Sequence, residues 1–247
     1  MSNVLAAAIT PPPGISFPPN DDFDALLLAH EMTHDWFRAV PEQCTLTSGK
    51  VTRVDGLKAS STYLLTDVDH APLLVAEGAG AWPALSFDGA TTRFDVQNRP
   101  TITSSWGGAF IVKPTNFAAQ GVLLGQHTSS FVTAFLALTT GGLAEFRQGT
   151  GTTTRAVSAA VYDSIIFGYD GETAFVEANG VRASAPSNGA VATASMVVGA
   201  LDLLGGQHFL GKMTDMVLFN ACPFLDPTLP VLVNAIAQRA NGVILPD

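Results

Sequence analysis

Apolar and polar residues repeat with two different periods along this chain. Between residues 21 and 40 the period is helical: at 100° per residue, Phe23, Leu26, Leu27, His30, His34 and Phe37 fall on one face. Asn20 and Asp21 offer caps, Asp21, Asp22 and Asp24 suit the positive end of a helix, and Pro41 stops the run. From about residue 44 the pattern changes to short runs of β-branched and aromatic residues broken by Gly, Asp, Asn and Ser. Strands are predicted near 50–55, 84–88, 91–96, 108–113, 121–125, 131–138, 143–147, 152–158, 162–168, 173–178, 195–198, 207–210 and 213–219. Asp88-Gly89, Asp170-Gly171 and Asn179-Gly180 read as tight turns, because these pairs tolerate positive φ. A last helix is predicted after Asp226 and Pro227, with Leu229, Leu232, Val233 and Ile236 as its apolar stripe and Asn241-Gly242 as its stop.

No predicted strand alternates with a long helix, which argues against a parallel α/β sheet. The expected fold is all-β: an antiparallel β-sandwich (jelly roll) with an N-terminal arm plus helix and a short C-terminal helix. Residues 1–43 form the arm and helix, and residues 44–247 form the sandwich. The arm carries PPPGISFPPN at 11–20, where proline disfavours helix; it reads either as a tether or as a strap on its own domain.

Composition narrows the partners. The chain has 47% hydrophobic and only 13% charged residues, with a net charge of -9. Its 12 basic residues form no stripe, which argues against nucleic acid, where phosphate neutralisation supplies most of the affinity. The same balance disfavours anionic membranes. No uncharged apolar run is long enough for a membrane-spanning helix, and the first ten residues lack the charged start of a signal peptide. Sparse charge with abundant apolar residues favours burial against other subunits, so a homo-oligomer is expected. Cys44 and Cys222 are too few for a disulfide framework; a pairing between them and two separate thiols both stay open.

Several segments resemble the concanavalin A-like, laminin G-like family. Leu85-Ser86-Phe87-Asp88-Gly89 is similar to its "FDG" strand-turn, and Trp106 with Ala109 to Pro114 to its "aWvKp" strand. Tyr169-Asp170-Gly171 with Val176 to Val181 resembles its "yDG…lyvNGv" hairpin. Val197 to Ala200, Phe209 to Met213 and Met216 to Asn220 resemble its closing strands, and Gln238 to Ile244 its short helix and tail. These pieces run in the family's order over roughly residues 44–245. The helical N-terminus lies outside the resemblance. Such domains serve as sugar-, protein- or calcium-binding modules, and similar proteins occur as structural parts of bacterial viruses.

One motif points elsewhere. His30-Glu31-Met32-Thr33-His34 matches H-E-x-x-H, which on a helix sets two imidazoles on one face for zinc. A metzincin, however, needs Gly and a third His where this chain has Phe37 and Val40. Asp35, Glu42 and Asp55 form no helix-borne ligand pattern, and a Pro-rich arm precedes the motif. The preferred reading places His30 and His34 on the apolar face of a docked helix with Phe23, Leu27 and Phe37. A zinc metallopeptidase with His30 and His34 as metal ligands is the alternative.

No strand carries the paired carboxylates of a glycosidase; Glu172 and Glu177 read as solvated residues flanking a hairpin. The expected function is a non-enzymatic binding or structural module of a phage virion, docking on neighbouring subunits or itself. A free carbohydrate-binding, lectin-like protein is the alternative. A sugar site needs loop-borne aromatic and polar groups, so the binding candidates are Trp82, His127, Asp170 and His208, with Trp106 assigned to the core. No cofactor is required. Calcium stays open at Asp88, Asp170 and Asp202, though Asp before Gly is first a turn former.

Overall fold

The computed structural model describes residues 22–58, 62–76, 83–99, 104–127, 132–188, 195–201 and 207–242. The elements run α1 (Asp22–Ala29), β1 (Thr33–Arg38), β2 (Cys44–Thr47), β3 (Lys50–Asp55), β4 (Tyr63–Leu65), β5 (Leu73–Val75), β6 (Ala84–Asp88), β7 (Phe94–Gln97), β8 (Trp106–Pro114) and β9 (Gly121–His127). There follow β10 (Val132–Leu138), β11 (Leu143–Gln148), β12 (Gly151–Ala156), β13 (Asp163–Tyr169), β14 (Thr173–Ala178), β15 (Val181–Pro186), β16 (Ser195–Val198), β17 (Leu210–Phe219) and α2 (Thr228–Ala240).

The strands fold into an antiparallel β-sandwich. One layer is β17-β8-β13-β14-β15, with β1 and β6 both pairing with β17. The other is β12-β11-β10-β9-β16-β7-β4-β3-β2. Strand β5 pairs with both β3 and β6 and so joins the layers at one side. Side chains alternate across each strand, and the inward set fills the core. Trp106, Phe110 and Phe167 from the first layer meet Phe146 from the second; the Phe146 and Phe167 ring centroids are 5.0 Å apart.

A second core lies on the outer face of the first layer. There Ala109, Ile111, Ile166, Val217 and Phe219 are covered by Leu27 of α1 and by Leu229, Leu232, Val233 and Ile236 of α2. The apolar stripe expected of the last helix is therefore the face it docks. Gly242, with φ 75°, takes the left-handed conformation just past its end.

The helix expected over residues 21–40 is much shorter. It ends at Ala29, residues 31 and 32 turn, and Thr33–Arg38 is strand β1 paired with β17. The apolar positions of the two elements happen to fall in helical phase, although they belong to a helix and a strand. Strands β2, β4, β5 and β15 were also outside the expected set; one strand, Leu210–Phe219, covers the segment expected at 213–219, whereas of the segment expected at 207–210 only Leu210 is in a strand and His208 makes an isolated bridge to Val122. Cys44 and Cys222 are both unpaired thiols, which settles the disulfide question left open above. Burial pushes the thiols up, Cys44 to about 11 and Cys222 to about 12, so neither is a ready thiolate.

Candidate functional site

Antiparallel register separates the expected site residues into two groups. Asp170 and His127 lie at the end of the sandwich where β13 and β9 finish. His127 is opposite Ser195 and Val132 in the backbone ladder. Asp88 and His208 lie at the other end, where β6 finishes and β17 begins. Trp82 and Asp202 lie outside the described residues. Asp88 and Asp170 therefore do not share an ion site.

Each of these two aspartates is occupied by its own turn. Asp170 Oδ1 accepts the backbone N–H groups of Glu172 and Thr173 at 2.9 and 2.8 Å. Asp88 Oδ1 accepts from the N–H groups of Ala90, Thr91 and Thr92 at 2.9 to 3.0 Å and from Thr92 Oγ1 at 2.8 Å, while Oδ2 accepts from Thr91 Oγ1 at 2.8 Å. Burial alone would raise the Asp88 carboxyl, but these donors outweigh it and hold the group well below the usual carboxylate range.

The HEMTH segment does not form a zinc helix. His30 follows the last residue of α1, and His34 is in β1. The imidazoles go to separate partners: His30 Nε2 is 3.1 Å from Asp226 Oδ2, and His34 Nε2 is 3.0 Å from Thr62 Oγ1. His30 thus ties the end of α1 to the segment before α2. Among the described residues no cluster of three His, Cys, Asp or Glu side chains could hold a metal. Glu177 also departs from expectation. It is buried beneath α2, accepting from Arg182 Nε and Asn234 Nδ2, each at 3.1 Å.

The end bearing Asp88 and His208 holds a small open cavity of about 170 Å³. Leu138, Phe209 and Leu210 supply apolar wall, and Asn116 and His208 bring polar side chains to it. Local backbone geometry builds this arrangement. Gln207 has φ 53°, its carbonyl accepts Val122 N–H at 2.9 Å, and His208 bridges to Val122 beside it. Gly121 permits the close approach: a Cβ there would meet Phe209 Cα at 3.1 Å and the His208 carbonyl at 3.2 Å. Gly89, at φ 73°, turns the chain against Leu210.

The polar groups are oriented. His208 Nδ1 lies 3.4 Å from the Thr92 carbonyl, which can only accept, so Nδ1 is the donor in that contact and the ring's orientation is set by it. Asn116 Oδ1 accepts Ala118 N–H at 2.9 Å, leaving the Nδ2 donors for a ligand. Of this lining, sequence reasoning had singled out His208 and, as a turn or calcium residue, Asp88. Asn116 and Leu138 had no distinguishing signal, because only the register of β8, β9, β10 and β17 brings their loops together.

No family model and no curated protein matches the sequence. Solved structures do share its fold. The fourth domain of a GH43 extracellular arabinanase from Geobacillus stearothermophilus, in complex with arabinotriose, matches with TM-score 0.55 and 13% identity over 84% of this chain and 98% of that one. A Trypanosoma rangeli sialidase in complex with the inhibitor DANA matches with TM-score 0.57 and 11% identity over 87% of this chain and 36% of that one. A botulinum neurotoxin type C structure, described as interacting with two ganglioside molecules, matches with TM-score 0.58 and 6% identity over 86% of this chain and 53% of that one. At these identities the likeness is one of fold alone, an antiparallel β-sandwich. The chain spans about a third of the sialidase and half of the toxin.

Proposed function

We propose that this chain is a non-enzymatic, glycan-binding β-sandwich module that holds a sugar at the cavity between Asn116 and His208. The observation that carries the reading is that cavity: apolar wall from Leu138, Phe209 and Leu210, an imidazole held in place on His208 and oriented donors on Asn116. A sugar ring presents apolar C–H faces with hydroxyls at its edge, and this lining complements both. The volume suits one small residue rather than a drug-sized ligand of roughly 300–1,000 Å³. The shared fold supports the reading, since one of the matched proteins holds arabinotriose and another interacts with gangliosides. Binding is favoured over hydrolysis because Asp88 is the single carboxylate among the described lining residues and is engaged by its own turn. Glycoside hydrolysis needs two carboxylates across the sugar.

A second reading, a phage virion component docked on its neighbours, is favoured by the sparse charge and by the exposed Leu46, Leu65 and Leu73. In that setting the same cavity would face a host-surface glycan. A glycan array with the purified chain tests the first reading: binding to a defined sugar class is expected, with loss in His208→Ala. Binding to no glycan, or unchanged binding by that variant, would refute it. Fractionation of purified particles tests the second, which fails if the chain never co-purifies with them.

A further inference from the structure

Among the described strands β1, β2, β12 and β15 pair with a neighbouring strand on one side only; β1 is covered at Trp36, whose carbonyl accepts Leu57 N–H at 2.8 Å, and the other three are guarded very differently. Unpaired N–H and C=O groups on an edge recruit further strands unless charge, proline or a covering element blocks them. Strand β15 carries Arg182 and ends at Pro186. Strand β12 carries Arg155, whose guanidinium reaches across to donate to the Arg182 carbonyl and closes that side of the sandwich. Strand β2 has neither device. It is Cys44-Thr45-Leu46-Thr47, pairs only with β3 among the described strands, and is exposed from Thr45 onward. Leu46 is 54% exposed at its middle, and the β-branched threonines beside it favour extended backbone.

We propose that β2 pairs antiparallel with β2 of a second copy of this chain, joining two sandwiches through one continuous sheet. The charges flanking the strand are complementary under the two-fold axis this pairing requires. Thr47 pairs with Lys50 of β3, so Leu46 turns its N–H and C=O to the free edge; with the axis at Leu46, Leu46 faces Leu46 of the second copy and Thr45 faces its Thr47. Glu42 then falls beside the second copy's Ser48-Gly49 turn, next to Lys50. Glu42 is exposed and Lys50 half-buried, and neither has an ion-pair partner among the described residues. The turn itself is tight, with Ser48 at φ 53° and Gly49 at φ 79°, so nothing in it overhangs the edge. Leu46 of each copy lies at the axis and is covered on association.

A four-residue ladder is short, so the association is modest, with a Kd on the order of 10 μM. This inference is independent of the glycan reading. Sedimentation equilibrium of the whole chain tests it, with circular dichroism as the check on folding. The wild type is expected to pass from monomer to dimer across roughly 1–100 μM. Leu46→Lys sets like charges against each other at the axis and raises Kd by about tenfold or more. Glu42→Lys weakens the dimer as well, and the exchange Glu42→Lys with Lys50→Glu restores it. A wild-type chain that stays monomeric across that range would overturn the proposal. So would folded Leu46→Lys and Glu42→Lys proteins that associate as tightly as the wild type.

Discussion

The sheet β17-β8-β13 has two buried faces, and they are held by different physics. Its inner face meets the second layer through Trp106, Phe110, Phe146 and Phe167, an aromatic cluster. Its outer face meets the helices through small and aliphatic residues and through a network of charges. Trp36 Nε1 and Arg38 Nε both donate to Asp215 Oδ1, at 2.8 and 3.0 Å. Arg38 Nη1 donates on to Asp24 Oδ2 at 2.7 Å, and Arg239 Nη2 donates to Asp24 Oδ1. One carboxylate in α1 thereby connects β1 and α2, with the Arg38 guanidinium also 4.1 Å from the Trp36 ring centroid. Packing on the inner face depends on shape and volume. Docking on the outer face depends on every charge keeping its partner, which fixes where the helices sit.

The largest effect should come from the inner face. Phe167→Ala removes the ring that touches Trp106, Phe110 and Phe146, and should destabilise by about 3–5 kcal/mol in urea unfolding. A loss under 1 kcal/mol would mean that the layers do not depend on this cluster. On the outer face, Asp215→Ala leaves two buried donors without their acceptor and should destabilise by about 3 kcal/mol. Asp215→Asn, which keeps an oxygen for Trp36, should lose less. Equal losses in the two variants would show that hydrogen bonding to that oxygen is not what matters.

The smallest effect depends on pH. Asp35 is fully buried against Gly56, and burial raises its carboxyl to about 6, against the lowering influence of the Trp36 and Lys58 N–H groups and the Lys58 charge. A folded-state value above the unfolded one means that folding takes up a proton between about pH 4 and 6. The carboxyl's contribution to stability is therefore greatest below that window and is lost as pH rises through 6. Asp35→Asn should be more stable than the wild type by about 1–2 kcal/mol at pH 7.5, with the difference vanishing near pH 4. A difference of the same size at both pH values would place its origin in packing.

Legibility in the sequence followed the range of the interactions. Strands at 50–55, 84–88, 173–178 and 195–198 have the expected bounds, because alternation and flanking turns are local signals. The Asn179-Gly180 turn was equally plain, with φ values of 50° and 79°. Strand β1 was not legible, since what makes Thr33–Arg38 a strand is its ladder with β17, far along the chain. The short strands β4 and β5 carry Leu65 and Leu73 on exposed positions, which blurs alternation. The cavity was half legible: His208 stood out as a loop histidine, whereas Asn116 and Leu138 reach it only through strand register. The HEMTH motif was the converse, a local pattern whose chemistry failed because the backbone leaves the helix at its first histidine.

The proposed sugar position is the Asn116–His208 cavity, with the opposite end beside Asp170 left empty. Amide chemical-shift mapping of the labelled chain, titrated with the strongest ligand from the array, distinguishes the two ends. Shifts are expected at Asp88–Gly89, Asn116–Gly121, Leu138 and His208–Leu210, with the Asp170–Thr173 turn unmoved. Shifts centred on Asp170, or spread across the sheet faces with none at His208, would contradict that position.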